Sequence, residues 1–153
     1  MKIEQLNLQI KYEELINYFN QLNQDQNTSE IDILSEKIKN EIKNKLKKLT
    51  RKELSFIKRY IPIYCWIILS LDFLNLSEKF LKECRNKLNW KIICSSSIIF
   101  KQLLFWKKLK LCIHNLSNKN LKIIKLQLQL ALNNNLITKN DIPSWFLENY
   151  EIK

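Results

Sequence analysis

Few residues of this chain are of the types that do chemistry in proteins. It has a single histidine, His114, and four cysteines without any Cys-x-x-Cys spacing, namely Cys65, Cys84, Cys94 and Cys112. Cys112 and His114 are two positions apart, so on a helix they point to different faces and cannot share a metal ion. We therefore predict no metal site and no cofactor.

No group of side chains has the spacing of a catalytic site. The three serines at 95–97 lack the Gly-x-Ser-x-Gly context of a nucleophile elbow. Glu13 and Glu14 are adjacent, so they diverge on a helix instead of forming a carboxylate pair. The chain contains no glycine, which excludes the usual phosphate-binding loops and dinucleotide folds. We predict that the protein is not an enzyme and has no catalytic residue.

The cysteines also indicate a compartment. All four lie in apolar stretches, which predicts buried, reduced thiols and an intracellular reducing environment such as cytoplasm, an organelle matrix or a viral factory or virion. The N-terminus is polar and has no apolar core segment, so we expect no signal peptide. The longest apolar stretch, 60–71, is too short for the roughly 20 residues that a bilayer requires. We expect a protein that is neither secreted nor transmembrane.

The chain has an excess of basic over acidic residues. The formal net charge is +11, and no Asp or Glu occurs between Cys84 and Asn140. A field of one sign attracts anionic partners such as nucleic acid, acidic proteins or membrane surfaces. The composition, rich in Lys, Asn and Ile, is typical of an A+T-rich genome, which accounts for part of the lysine content. The candidate contacts for an anionic partner are Lys43, Lys47, Lys101, Lys107, Lys108, Lys110, Lys119 and Lys122.

Hydrophobic periodicity predicts helices along most of the chain. Apolar residues spaced by threes and fours form one stripe from Leu8 to Leu22 and another from Ile31 to Leu49. A polar loop near 23–30 separates them. The fold class is therefore all-α, a compact bundle or short helical-repeat array of seven to nine helices in a single domain, 1–153. Residues 121–132 combine strand-like alternation with helix-favouring residue types, and we predict helix there because no pairing strand is found.

Helix starts are predicted from capping residues. Ser29 with Asp32, Thr50 with Glu53, and Asn75 with Glu78 have the spacing of capping pairs. Pro62 is expected to end or bend the helix before it. The serines at 95–97 are expected to cap the following helix, and Asp141 to cap a terminal helix with Pro143 in its first turn.

The stretch from Leu76 to Ile93, LSEKFLKECRNKLNWKII, has the form of a repeat unit. Trp66 and Trp90 are 24 residues apart, and a looser version, with Leu49-Thr50 in place of Leu76-Ser77, precedes Trp66. Over residues 49–93 the pattern resembles the short Trp/LSExF helical repeats of proteins from large DNA viruses of protists. The resemblance implies stacked helices and an interaction role, and it brings no catalytic residue.

These observations favour a non-enzymatic adaptor or scaffold that binds a protein partner through a basic face. The alternative is a nucleic-acid-binding or ribonucleoprotein component whose Lys-rich helices contact phosphates without sequence specificity. Only three arginines occur, which weakens that alternative because bidentate phosphate recognition favours Arg. A basic amphipathic helix within 103–113 at a membrane surface is a third possibility. No small-molecule ligand is inferred.

Overall fold

The computed structural model describes residues 3–24 and 31–152, and in the second range the side chains from residue 36 onward. This part of the chain is all-α, as predicted, and contains no strand. Eight of its ten α-helical segments have seven residues or more. The helices are α1 Ile3–Lys11, α2 Glu13–Gln24, α3 Ile31–Lys47, α4 Arg51–Ile57, α5 Ile63–Leu71, α6 Glu78–Cys84, α7 Trp90–Ile93, α8 Leu103–Cys112, α9 Asn118–Asn133 and α10 Ser144–Asn149.

The contacts divide the chain into two compact units, Met1–Leu69 and Ser70–Lys153. The expectation of one domain over 1–153 stays a prediction. In the first unit the two apolar stripes contribute Phe19 and Ile42, which are fully buried, and Leu46, which is nearly so, and residues 49–69 supply the rest of the core. The first stripe is divided at Tyr12 between α1 and α2, although the Tyr12 amide still donates to the Leu8 carbonyl at 3.0 Å.

The second unit is built around aromatic side chains. Four phenylalanines have at most a few per cent of their surface exposed, namely Phe73, Phe100, Phe105 and Phe146. Trp90 is only 1% exposed. The Phe73 and Trp90 rings meet edge to face, with centroids 5.3 Å apart. Since aromatic pairs in this geometry stabilise beyond the area that they bury, the cluster fixes how the short helices of this unit pack.

Three helices begin with the same local arrangement, a buried leucine followed by a hydroxyl residue that caps the helix. The Oγ of Thr50, Ser77 and Ser117 accepts a hydrogen bond at 3.2 Å from the backbone amide three residues later, at the start of α4, α6 and α9 respectively. The predicted Thr50–Glu53 capping box is complete, because Glu53 also accepts from the Thr50 amide at 3.0 Å. The shared arrangement satisfies amides that the first turn of a helix leaves unpaired.

Other predicted helix starts lie elsewhere. The cap of α6 is Ser77 and not Asn75, because a 3-10 turn occupies 73–75 and Asn75 Nδ2 donates to Asp72 Oδ1 at 2.8 Å. The serines at 95–97 interrupt the helical structure after α7, as predicted, but they do not cap α8. A 3-10 turn over Ser97–Lys101 intervenes, and Gln102 precedes α8.

Two further predictions involve Pro62 and Pro143. Pro62 directly precedes α5, after α4 and a 3-10 turn have ended. Pro143 is the residue before α10 and not part of its first turn, and Asp141 accepts from the Thr138 amide at 2.9 Å instead of capping that helix.

The ambiguous segment 121–132 is helical within α9, as predicted. This helix ends at Asn133, and Asn135, with φ of 59°, then adopts the left-handed conformation. The Leu136 amide donates to the Ala131 carbonyl at 2.9 Å, which closes the helix end in the manner of a Schellman motif. Asparagine is the residue that tolerates this conformation best after glycine, which the chain lacks.

The proposed repeat unit has a defined local structure. In both versions a buried leucine precedes the capping residue, and the pairs Phe56-Ile57 and Phe80-Leu81 are buried in the helix that follows. The two tryptophans differ in position, since Trp66 lies within α5 and Trp90 is the first residue of α7. Ser29 and part of the predicted loop, 25–30, lie outside the described residues, whereas 23–24 are the end of α2.

Candidate interaction surface

The eight candidate lysines are distributed over both units. Lys43 and Lys47 lie on α3 in the first unit, and the other six lie in the second. Five of those six are exposed: Lys101 at the end of a 3-10 turn, Lys107 and Lys110 on α8, and Lys119 and Lys122 near the start of α9. These five remain candidates for contact with an anionic partner.

Lys108 is the exception among the lysines of the second unit. Its side chain is half-buried, and its Nζ donates a hydrogen bond to the carbonyl oxygen of Leu76, the residue just before the cap of α6. This hydrogen bond uses one of the three ammonium donors and joins α8 to the segment that precedes α6. The prediction that Lys108 contacts an anionic partner stays a prediction.

Helix α8 presents two faces of different character. Phe105, Trp106, Leu109 and Cys112 are buried, and the Trp106 indole donates from Nε1 to the Phe100 carbonyl at 2.8 Å. At about 100° per residue the exposed positions form one outward arc, with the half-buried Lys108 at its edge. We call this arc the α8 outer face, and it consists of Leu103, Leu104, Lys107, Lys110 and Leu111.

The leucines of the α8 outer face are unusually exposed. Leu103 is 80% exposed, Leu104 44% and Leu111 37%. Lys107, which follows Leu103 by one helical turn, is exposed between Leu103 and Leu111 on the helix surface. Single exposed apolar residues are ordinary, but three on one helix face with lysines between them form a mixed apolar and basic patch.

Trp145 borders this patch. The Nζ of Lys110 lies 5.7 Å from the centroid of the Trp145 ring, a cation–π distance. The ring also packs edge to face on Trp106, with centroids 6.2 Å apart. A tryptophan that stays partly exposed on a folded protein can serve as a contact anchor for a partner. Trp66, Trp90 and Trp106 are buried, and only Trp145 among the four is half-buried.

The residues that could have carried chemistry are dispersed or inert. His114 is exposed and Cys112 buried. In the described ranges no three His, Cys, Asp or Glu side chains come together to hold a metal ion. Burial raises the pKa of the thiols of Cys65, Cys94 and Cys112 to about 12. These thiols are therefore protonated near neutral pH and are neither nucleophiles nor metal ligands in that state.

The four cysteines are buried as predicted, and all lie in the described part of the chain, where none forms a disulfide. Across residues 3–24 and 31–152, none of the helices combines the length and the apolar character needed to cross a membrane.

Comparisons with known proteins give no family for this chain. No protein-family model, curated protein or solved structure matches it. The resemblance of residues 49–93 to viral helical repeats stays a prediction that depends on those residues alone. The function must therefore be argued from the α8 outer face and the charges around it.

Proposed function

We propose that the protein is a non-enzymatic adaptor that binds an acidic, partly apolar surface of a protein partner through the α8 outer face. The observation that carries the proposal is the alternation of exposed leucines with Lys107 and Lys110 on one side of a helix whose other side is buried. Leucines bury apolar area against a partner, and lysines pair with carboxylates around it.

The composition of this surface supports a protein partner over a polyanion. A helix that contacts phosphates gains affinity from each cation and nothing from an exposed leucine. Leu103 and Leu111 flank Lys107 and would be placed against the charged backbone of a nucleic acid. Trp145, half-buried beside Lys110, is also of the type that is enriched at the energetic centre of protein interfaces.

The test compares two probes, a fluorescein-labelled helical peptide with Leu and Glu on one face and a random-sequence DNA duplex. We expect Leu103→Ser with Leu111→Ser to weaken peptide binding at least tenfold and to leave duplex binding unchanged. Leu136→Ser, at an exposed leucine that follows α9, is the matched control. Peptide binding that the double variant leaves intact would contradict the proposal, as would equal losses for both probes.

A second candidate function, a nucleic-acid or ribonucleoprotein component, is favoured by one observation. Lys101, Lys107, Lys110, Lys119 and Lys122 are all exposed in a stretch that contains no carboxylate from residue 85 to residue 140. Such a stretch attracts phosphates without reading their sequence. Its test is the salt dependence of duplex binding, which is treated in the Discussion.

A further inference from the structure

Helix α1, in the first unit, also presents an exposed apolar face. Ile3 is 79% exposed, Leu6 48% and Ile10 66%, and none of the residues of α1 is buried. The three positions are spaced by three and four residues, so they lie on one side of the helix. The opposite side packs on its own unit, where Gln9 Nε2 donates to the Tyr60 hydroxyl at 2.9 Å.

The helical turn continues from α1 into α2, so the exposed face extends to two carboxylates. Between the two helices the Tyr12 carbonyl accepts from the Ile16 amide at 2.9 Å. Glu13 and Glu14 follow Ile10 by three and four residues, and they lie about 100° apart on either side of the apolar line. Both are exposed. We call this surface the N-terminal outer face, and it consists of Ile3, Leu6, Ile10, Glu13 and Glu14.

The N-terminal outer face is acidic, although the chain as a whole is basic. Helices α1 and α2 carry three carboxylates and one lysine. That lysine, Lys11, lies at the edge of the face with its Nζ 3.4 Å from Glu53 Oε2, and Glu4 at the same edge pairs with a lysine of α4. In the described part of the chain neither Glu13 nor Glu14 forms an ion pair. Both carboxylates are therefore available to a cation that approaches the face.

The N-terminal outer face and the α8 outer face are complementary. Each has three exposed aliphatic side chains and two charges, which are carboxylates on the first and the ammonium groups of Lys107 and Lys110 on the second. At the rise of an α-helix the faces are about 16 Å and about 12 Å long respectively. Packed side by side, they would cover apolar surface that each leaves in water and would pair charges of opposite sign around it.

We propose that the α8 outer face of one copy of this chain binds the N-terminal outer face of a second copy. The pairing rests on the proposed function, because it supplies the acidic, partly apolar partner that the α8 outer face requires. It is a head-to-tail contact, so each copy keeps one face for a third copy and assemblies grow with concentration unless a ring closes. Each face has only five side chains, against roughly 20 to 30 residues a side in a standard interface, so the association should be weak.

The experiment is sedimentation velocity of the full chain at low salt over a hundredfold range of concentration. We expect the sedimentation coefficient of the parent to increase with concentration. The N-terminal variant, Leu6→Ser with Ile10→Ser, should raise the concentration of half-association at least tenfold, and so should the α8 variant, Leu103→Ser with Leu111→Ser. The matched control is Ile63→Ser, at a residue of the first unit that is 78% exposed, and it should associate as the parent does.

A mixture of the two variants tests the head-to-tail geometry. Each variant keeps the face that the other lacks, so each alone should stay monomeric, whereas an equimolar mixture should form a 1:1 dimer that does not grow further. A mixture that stays monomeric would overturn the proposal. If the N-terminal variant loses its helical circular dichroism, Glu13→Gln with Glu14→Gln decides. It leaves every apolar side chain in place and should weaken the association threefold or more, and an unchanged association would overturn the proposal.

The peptide titration described under the proposed function separates the two conclusions. A monomeric parent that still binds the Leu and Glu peptide through Leu103 and Leu111 would overturn the head-to-tail contact and keep the proposed function. The N-terminal outer face would then be left to another protein. A parent that neither associates nor binds the peptide would overturn both. Association that only the N-terminal variant loses would mean that this face pairs with its own copy, which also contradicts the head-to-tail contact.

Discussion

Trp90 is the largest of the fully buried side chains in the described residues. Its side chain is 1% exposed, it meets Phe73 edge to face, and its Nε1 donates to the Arg85 carbonyl at 2.8 Å. Trp90→Ala should therefore lower the free energy of unfolding by about 3–5 kcal/mol, since it leaves a cavity and an unpaired carbonyl. Urea unfolding measures this loss. A midpoint close to that of the parent would show that Trp90 is not a core residue.

The buried thiols give the protein a predictable response to alkaline pH. Burial raises the pKa of Cys94 from its ordinary value of 9.0 to about 12, and Cys65 and Cys112 behave alike. A raised pKa favours the protonated form in the folded state. The free energy of unfolding is therefore highest below about pH 9 and decreases above it, because the thiols of the unfolded chain ionise at lower pH than those of the folded protein. Each thiol should cost about 1 kcal/mol per pH unit between about 9 and 12.

Unfolding curves recorded from pH 7 to pH 11 measure this slope. In the variant Cys94→Ala the free energy of unfolding should decrease less steeply above pH 9 than in the parent, whatever its stability at pH 7. Burial and the hydrogen bond to Glu41 also raise the pKa of Tyr18, which adds a loss in the same direction above about pH 10. Identical slopes for the parent and Cys94→Ala would contradict the assignment of this thiol to a buried, protonated state.

The starts of helices depend on short-range hydrogen bonds from capping side chains. Ser77 accepts from the Phe80 amide at the start of α6, a helix of only seven residues. Ser77→Ala should lower stability by about 1 kcal/mol, the usual cost of losing a cap. Ser96 has the equivalent position before a 3-10 turn but makes no capping bond, so Ser96→Ala should change stability by less than about 0.5 kcal/mol. Equal effects of the two substitutions in thermal unfolding would refute the capping role of Ser77.

Helix α8 shows how one element separates buried residues from exposed ones. Its inner face is buried, and Lys108, near the boundary between the two faces, bonds to the Leu76 carbonyl. A substitution of Lys108 therefore tests stability, whereas Lys107 and the exposed leucines test binding. For this reason Lys108 is unsuited to a charge-reversal experiment that is meant to measure partner contacts.

At the scale of the whole molecule, the net charge of +11 bears on the affinity of the protein for polyanions. If the protein is an adaptor, its affinity for a random duplex should be weak at physiological salt. If it is a ribonucleoprotein component, log affinity should decrease with log salt at a slope of several units, and Lys107→Glu with Lys122→Glu should reduce that slope by about two. Titrations at four salt concentrations distinguish the two functions.

Lys87→Glu with Lys139→Glu is the matched control for those titrations, because both lysines are exposed in the same unit and neither is a candidate contact. We expect the adaptor result, since the arginines are few and leucines stand between the lysines of α8. A steep slope that the Lys107 and Lys122 substitutions control, and that the Lys87 and Lys139 substitutions do not, would reverse this order of preference.

The sequence by itself determined the features that depend on neighbours within one helical turn. Hydrophobic periodicity predicted the all-α class, apolar surroundings predicted the burial of the four cysteines, and the spacing of Thr50 and Glu53 predicted a capping box. These features follow from local hydrogen bonds and from the face of the helix on which a residue lies. They hold whichever segments come together later.

Only the tertiary structure decided which residues remain available to a partner. Lys107 and Lys108 are adjacent and identical in type, yet one is exposed and the other bonds to a carbonyl 32 residues earlier. Trp90 and Trp145 are likewise identical in type, and they differ in exposure because different side chains pack on them. Exposure is a property of contacts between remote segments, and local pattern carries no information about those contacts.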